Sequence, residues 1–443
     1  MPKIRAFRGL RYNLAQVGSL SDVVAPPYDV VDNQLQEKLY GNSPYNFIRL
    51  ELTKHDPKDL DPNSVYQHAG TLFREWIREG VLQFEPDPAI YVYHQVFDFL
   101  GQTYTRRGFM ARIELVRFGE GNIYPHEETH AKAKDDRLRL TRACDANMSQ
   151  IFGLYPDPEN TAQNLLESHI ATQAPLEATD HLGVLHRLWP VCDQSVIQAV
   201  AQLVADKPMF VADGHHRYET ACNYRDEVAE RNGGKLESDH PANFVLSMLM
   251  SMDDPGLIVL PTHRLLHGIP ALSAKDLADR VGTYFDCQNV GIGPDAASIV
   301  WQHIEDLDDQ GAFGLYTSVD QTWTLLTANE ATYRKMAEIC PQQSEDWRNL
   351  GVAILHHLII DNLLGLAGHP KPTYVHLVDE VIAGLKGQLE GAIDYPLAAL
   401  VMPATVDDIR RVSLHKERMP AKSTYFYPKL LSGLVVNSIG SQS

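Results

Sequence analysis

Pro208-Met209-Phe210-Val211-Ala212-Asp213-Gly214-His215-His216-Arg217-Tyr218-Glu219-Thr220-Ala221, running on to Asp226, is the stretch on which the fold of this chain turns. Met209 to Ala212 is an apolar run of the length a buried strand needs. Asp213 and Gly214 break it. From Arg217 onward the residues read as a helix with Tyr218, Ala221 and Cys222 on one face. A strand that turns through glycine into a helix leaves backbone N–H groups unpaired at the helix start, which suits an anion and above all a phosphate. The turn adds a carboxylate, two imidazoles and a guanidinium within five residues. A solvated polar turn is the plainer reading of the same residues.

Upstream, the apolar helix Val196 to Val204 leads into this stretch, preceded by a short extended piece, Leu188 to Val191. Ile90 to Phe99 and Gln102 to Val116 read as a hairpin around Gly101. Ser64 to Glu79 is an amphipathic helix: Tyr66, Ala69, Leu72, Phe73, Trp76 and Ile77 recur at helical spacing, and Gly80 stops it. Its aromatics are core. Tyr45 to Leu52 reads as a strand. Pro26-Pro27-Tyr28-Asp29 forms a rigid turn, whether as a ligand-facing element or a connector. Downstream, Asn232-Gly233-Gly234 breaks the helix, and the domain boundary is set there: residues 1–235 form an N-terminal α+β domain and 236–443 a C-terminal α/β domain. Strands then alternate with helices, including a long apolar helix, Trp347 to Leu364, and a last strand, Leu431 to Val436. The fold class is α+β or mixed α/β.

At 443 residues two domains are the natural expectation. No apolar run reaches the length of a membrane span, and Met1-Pro2-Lys3-Ile4-Arg5 lacks a signal segment. A cytoplasmic protein is expected, with no membrane partner. Five dispersed cysteines without a Cys-x-x-Cys pair argue for free thiols. A net charge of −18 disfavours nucleic acid and anionic lipid. An anionic ligand would need a local basic pocket; a homo-oligomer stays open.

A second polar stretch runs Pro125-His126-Glu127-Glu128-Thr129-His130 and on through Lys132, Lys134, Asp135, Asp136, Arg137, Arg139 and Arg142. His126 to His130 matches H-E-x-x-H literally. In zinc proteases, however, that motif lies on a well-packed helix, whereas here Pro125 precedes it and charge follows. Phosphate binding by Lys132, Lys134, Arg137 and Arg139, with Glu127 or Glu128 activating a hydroxyl, is the better use of these residues. The alternative is a charged helix laced with ion pairs such as Asp135 with Arg139. Pro261-Thr262-His263-Arg264 ends an apolar strand, a common site position. Met419-Pro420-Ala421-Lys422-Ser423-Thr424-Tyr425-Phe426-Tyr427-Pro428-Lys429 is a rigid loop whose two lysines, Lys422 and Lys429, and two hydroxyls, Ser423 and Thr424, could hold a phosphate, a solvated loop being the alternative.

Taken together, Pro26-Pro27-Tyr28-Asp29-Val30, Pro125-His126-Glu127-x-Thr129, Asp136-Arg137, Ser149-x-Ile151-Phe152-Gly153-Leu154-Tyr155, Asp213-Gly214-His215-His216-Arg217, Pro261-Thr262-His263-Arg264 and Met419-Pro420-x-Lys422-Ser423-Thr424 resemble the bacterial domain-of-unknown-function family ten-fifteen. The resemblance runs nearly end to end. A more distant one is to the ParB/sulfiredoxin superfamily, whose nucleotide-phosphate loop resembles Gly214 to Arg217; among its members the free serine kinases resemble this chain most. His215 stands where sulfiredoxins carry their reactive Cys, and the acidic chain has no evident helix-turn-helix, so peroxiredoxin repair and DNA partitioning are not expected.

The resemblance implies a ParB/sulfiredoxin-like nucleotide-binding core and a kinase or related phosphotransferase acting on a small hydroxyl metabolite, free serine among the candidates. By that likeness ATP or ADP would be held by Gly214, Arg217, Lys134, Arg137, His263, Arg264, Lys422, Ser423 and Thr424. Asp213 would bind Mg²⁺ or orient the acceptor, Glu127 would act as base, and His215 and His216 would neutralise charge. A phosphate-ester hydrolase such as a phosphoserine phosphatase, and a non-catalytic nucleotide or metabolite sensor, are the alternatives.

Overall fold

Two long strands with near-continuous buried runs build the centre of the first sheet in the computed structural model, which describes residues 3–55, 58, 61–389, 391 and 393–440. In chain order the sheet contains β1 (Ile4–Arg5), β2 (Ile90–Phe99), β3 (Gln102–Glu114), β4 (Ile123–Pro125), β5 (Ile151–Tyr155), β6 (Leu176–Thr179), β7 (Leu185–Val191), β8 (Met209–Asp213) and β9 (Phe244–Ser251). The order across it is β4-β8-β5-β9-β3-β2-β7-β6, with β1 pairing β3. β8 runs parallel to β4 and antiparallel to β5, and β9 runs parallel to β5 and antiparallel to β3. The fold is mixed α/β.

The helices of this part of the chain include α1 (Ser64–Arg78), α2 (Ala131–Cys144), α3 (Gln194–Val204) and α4 (His215–Arg231). Val200 and Val204 of α3 and Tyr218, Ala221 and Cys222 of α4 share a core with Val92, Phe109, Val211 and Val245 of the sheet. The helical face expected from Tyr218, Ala221 and Cys222 is therefore the buried one. Gly70 of α1 lies against the Ala143 carbonyl of α2, where a Cβ would overlap the backbone.

The chain divides into two units. The first comprises Met1–Pro125, Thr129–Ile258 and Pro428–Ser443; the second comprises His126–Glu128 and Val259–Tyr427. β9 lies beyond the boundary expected at 235, yet it pairs on both edges inside the first sheet. The second unit has its own sheet: β10 (His263–Leu266), β11 (Phe285–Ile292), β12 (Ala312–Thr317), β13 (Thr322–Ala328), β14 (Thr373–Val375) and β15 (Leu397–Val401), in the order β11-β13-β12-β15-β10-β14.

Three expected elements differ. Ile48–Glu51 is a helical turn rather than a strand. Asn46 explains it: its Oδ1 accepts the Ile48 N–H at 3.0 Å while its Nδ2 donates to the Asp22 and Val24 carbonyls, so a tertiary cap overrides β-branched propensity. The helix expected over Trp347 to Leu364 is interrupted after Arg348 and continues as the π-helical segment Ile354–Leu363. The expected last strand, 431–436, makes only isolated bridges, Ser432 with Ala25 and Val436 with Leu10.

Candidate functional site

The turn at Asp213 is built by a bulge. β8 pairs with β5 in register through Val211 opposite Gly153, then slips so that Asp213 faces Phe152. An extra residue in one strand re-aims the side chain after it. Gly214 adopts φ +90°, the left-handed region, and α4 begins at His215, its N-cap a glycine that has no side chain to cap with. Arg217 folds back over the turn: its guanidinium occupies the space where a Gly214 side chain would stand, with Nε 3.1 Å from that position. Its Nη1 donates to the Gln150 carbonyl. On its other side Arg217 lines a cavity of about 30 Å³ shared with Arg137, Glu51, Ser149 and Thr220.

Asp213 lies between two cations. Lys429 Nζ donates to Oδ2 at 2.9 Å, and Arg217 Nη2 stands 3.6 Å from Oδ1. Burial alone would raise the carboxyl pKa, but Lys429 and Arg217, with His215 beside them, outweigh it and hold the group well below the usual carboxylate range. Lys429 is set by the middle of the sheet. Gln95 of β2 donates to the Lys429 carbonyl at 2.9 Å, and Arg106 of β3, itself buried, donates to the Pro428 carbonyl and to Gln95 Oε1. Burial pulls the Arg106 pKa down to about 10.

Of the other residues expected in the first unit, His215 is buried. His216 Nε2 accepts the His130 amide at 2.9 Å, and the two rings stack. Lys134 pairs with Glu219 at 3.2 Å, and Glu219 also accepts from Thr129. Arg137 is buried between Glu51 and Asp136 at 3.1 and 2.6 Å, with the Tyr28 ring 3.9 Å from its guanidinium. Burial would lower the Arg137 pKa, but the two carboxylates overcome it and raise the value. Arg139 pairs with Asp135. Much of the basic cluster on α2 is thus engaged in ion pairs, and Arg137 shares a cavity with Arg217. The turn at Tyr28 serves as the lid on that buried Arg137.

In the second unit, Glu127, Lys422 and Thr424 come together. Lys422 N donates to Glu127 Oε1 at 3.2 Å, Arg418 donates to the Glu127 carbonyl at 2.8 Å, and His126 Nε2 is 2.9 Å from Thr424 Oγ1. Ser423 turns inward onto the Pro420 carbonyl. Arg264 is fully buried, donating to the carbonyls of Thr262 and Lys422 and to His356 Nε2. It ties this loop down from within. His263 is equally buried, its Nδ1 accepting the Val401 amide at 3.4 Å. Residues 126–130 precede α2 instead of lying on it, so the H-E-x-x-H spacing does not place two imidazoles on one helix face.

A direct Asp213–Mg²⁺ bond does not fit this donor set, because both carboxylate oxygens already face cations and a divalent ion would add a third positive centre. Among the described residues no three His, Cys, Asp or Glu side chains gather as a metal site would need. Also among the described residues, no helix is long and apolar enough to cross a membrane.

Sequence reasoning passed over Arg106, Gln95 and Gln150, and read Lys429 as one of two lysines of the loop from Met419, not as a partner of Asp213. Gln150 occupies the unspecified position of Ser149-x-Ile151. Arg106 carried the one usable signal, a cation in the middle of a strand whose neighbours Phe109 to Ala111 are core.

Among solved structures the chain is similar to a free serine kinase variant in complex with ADP, at 10% identity over 69% of this chain and 84% of that one, with a TM-score of 0.33. It is also similar to a conserved hypothetical protein from Pyrococcus furiosus (12% identity, 71% and 92% covered, TM-score 0.33) and to SbnI with a C-terminal truncation from Staphylococcus aureus (9%, 75% and 90%, 0.35). No curated protein matches the chain. A family model described as "Protein of unknown function (DUF1015)" matches residues 4–353, more than half of the sequence and including the Asp213 turn, and the chain belongs to that family.

Proposed function

We propose that the protein is a nucleotide-dependent phosphotransferase, a kinase for a small hydroxyl metabolite, with free serine the first acceptor to try. The reading rests on Arg217, whose guanidinium lies over Gly214 at the start of α4. A phosphate there would meet backbone N–H groups and a planar fork of donors together. The Asp-Gly-His-His-Arg likeness to nucleotide-phosphate loops supports the same reading.

In the proposed reaction ATP or ADP is the donor. The acceptor oxygen attacks the terminal phosphorus as the bond to the bridging oxygen breaks, leaving ADP or AMP. The acceptor proton passes to a carboxylate, for which Glu127 is the candidate. Arg217 and the helix start hold the transferring oxygens, and His215 adds a donor. Asp213, kept ionised, orients the acceptor. Such catalysis is mostly positioning and electrostatics.

Purified protein incubated with ATP or ADP and an amino-acid panel should yield a phosphorylated product by ³¹P NMR, with Glu127→Gln abolishing it. Neither turnover nor nucleotide binding by calorimetry would defeat the reading. Hydrolysis of phosphoserine without nucleotide would make the protein a phosphatase. Nucleotide binding that survives Asp213→Ala, with no turnover in wild type, would make it a sensor.

A further inference from the structure

Lys429 lies beyond the residues that the family model matches, in the segment Pro428–Ser443 that belongs to the first unit. Four side chains fasten that segment. Gln95 holds the Lys429 carbonyl, Arg106 the Pro428 carbonyl, and Gln150 Nε2 the Leu431 carbonyl at 3.0 Å, while Tyr93 Oη accepts the Leu431 amide at 3.5 Å. Further along, Asn437–Ser438 pairs with Ala146–Asn147. The polar contacts close into a ring. Gln150 grips Leu431 with its side chain and Arg217 with its carbonyl; Arg217 approaches Asp213, and Asp213 is bonded to Lys429.

The two cations do not share Asp213 equally. Lys429 is at hydrogen-bond distance, 2.9 Å, whereas Arg217 stands off at 3.6 Å. Asp213 ends β8 and Arg217 lies in the first turn of α4, within reach of each other, and a carboxylate and a guanidinium so placed can close into a bidentate pair. Such closure would draw the guanidinium away from Gly214 and spend its donors on Asp213. Here Lys429 takes the carboxylate first. His215 and Arg106 are the other charged or titratable groups whose fields reach Asp213.

We propose that Lys429 is a positioning residue of the phosphate loop: by holding Asp213 it keeps Arg217 over Gly214, available to a phosphate. This rests on the phosphotransferase reading only for the identity of the anion. The claim differs from a direct Lys429–phosphate contact, since it makes Asp213 the agent of harm once Lys429 is gone.

The test uses the full chain as wild type, Lys429→Met, Asp213→Asn and the double variant, with inorganic phosphate and ADP as calorimetric probes. Lys429→Met should weaken both about tenfold or more, the size of one charged hydrogen bond. Adding Asp213→Asn to Lys429→Met should restore most of that affinity, although no cation has been returned. Failure of the double variant to recover, with its thermal midpoint at or above that of Lys429→Met, would overturn the proposal in favour of direct contact. Equal affinity of Lys429→Met and wild type would also overturn it.

A ligand-free readout separates this from the functional reading. The Arg217 Nε–H resonance, assigned through its loss in Arg217→Lys, should exchange more slowly with solvent in Lys429→Met as the guanidinium closes on Asp213. Unchanged exchange would refute the positioning role. If wild type bound neither probe, the phosphotransferase reading would fall and the exchange measurement would decide this one alone.

Discussion

At the scale of single residues, Gly214 has little freedom. Its φ of +90° strains any L side chain, and the space beside its Cα is filled by the Arg217 guanidinium. Gly214→Ala should lower unfolding stability by about 1–3 kcal/mol in a urea titration, from backbone strain alone, and should weaken phosphate binding by displacing the Arg217 guanidinium from its place over the turn. Gly183 has a similar φ of +80° but open space around it, so Gly183→Ala should show the strain without the loss of binding. The Asp213–Arg217 group was legible because its members are contiguous and their types change abruptly at a glycine. Lys429 was legible as a cation of the loop from Met419 but not as the partner of Asp213, because nothing local distinguishes a lysine that closes on a carboxylate from one that is solvated. Arg137 and Lys134 illustrate the converse. Their sequence neighbourhood looks like a phosphate patch, and only the burial of Glu51 and the approach of Glu219 reveal them as largely ion-paired.

At the scale of elements, α1 and α2 cross where Gly70 meets the Ala143 carbonyl. Gly70→Ala would place a methyl group within the radius of a backbone oxygen that cannot turn aside. The helices must separate, at a cost of about 1–3 kcal/mol, despite the better helix propensity of alanine; the urea midpoint of the variant against wild type reads it. Long periodic elements, α1 and the β2–β3 hairpin above all, were readable because a single repeat spans many residues. Ile48–Glu51 was not, since four residues carry no period and the cap at Asn46 draws on carbonyls more than 20 residues away. The bulge before Asp213 also escaped sequence reading. It is a property of the pairing with β5, not of β8 itself.

At the scale of the whole molecule, two histidines of the second unit set its response to acid. Burial, reinforced by Arg264, pushes both His263 and His356 down to about 3. In the unfolded chain they titrate near the ordinary value of about 6.5. Below that pH the unfolded state gains protons that the folded state refuses, so stability falls as pH falls from about 6.5 towards 3. The slope from one such histidine is up to about 1.4 kcal/mol per pH unit. His356→Gln should flatten the decline in urea midpoint between pH 7 and 4 relative to wild type, and an unchanged slope would show that His356 is already charged in the folded protein. The division into units was the least legible feature at this scale. β9 and the segment from Pro428 both belong to the first unit although most of the second unit's sequence lies between them, and a boundary read from Gly and Asn breakers cannot anticipate a chain that returns.

That return has a consequence in time. Asp213 and Lys429 stand 216 residues apart. A ribosome moving at about 5–20 residues per second reaches the lysine roughly 10–45 s after the aspartate. For much of that interval the turn is outside the exit tunnel while the cation that steadies it has not yet been made. The loop is thus made well before the residue that completes it.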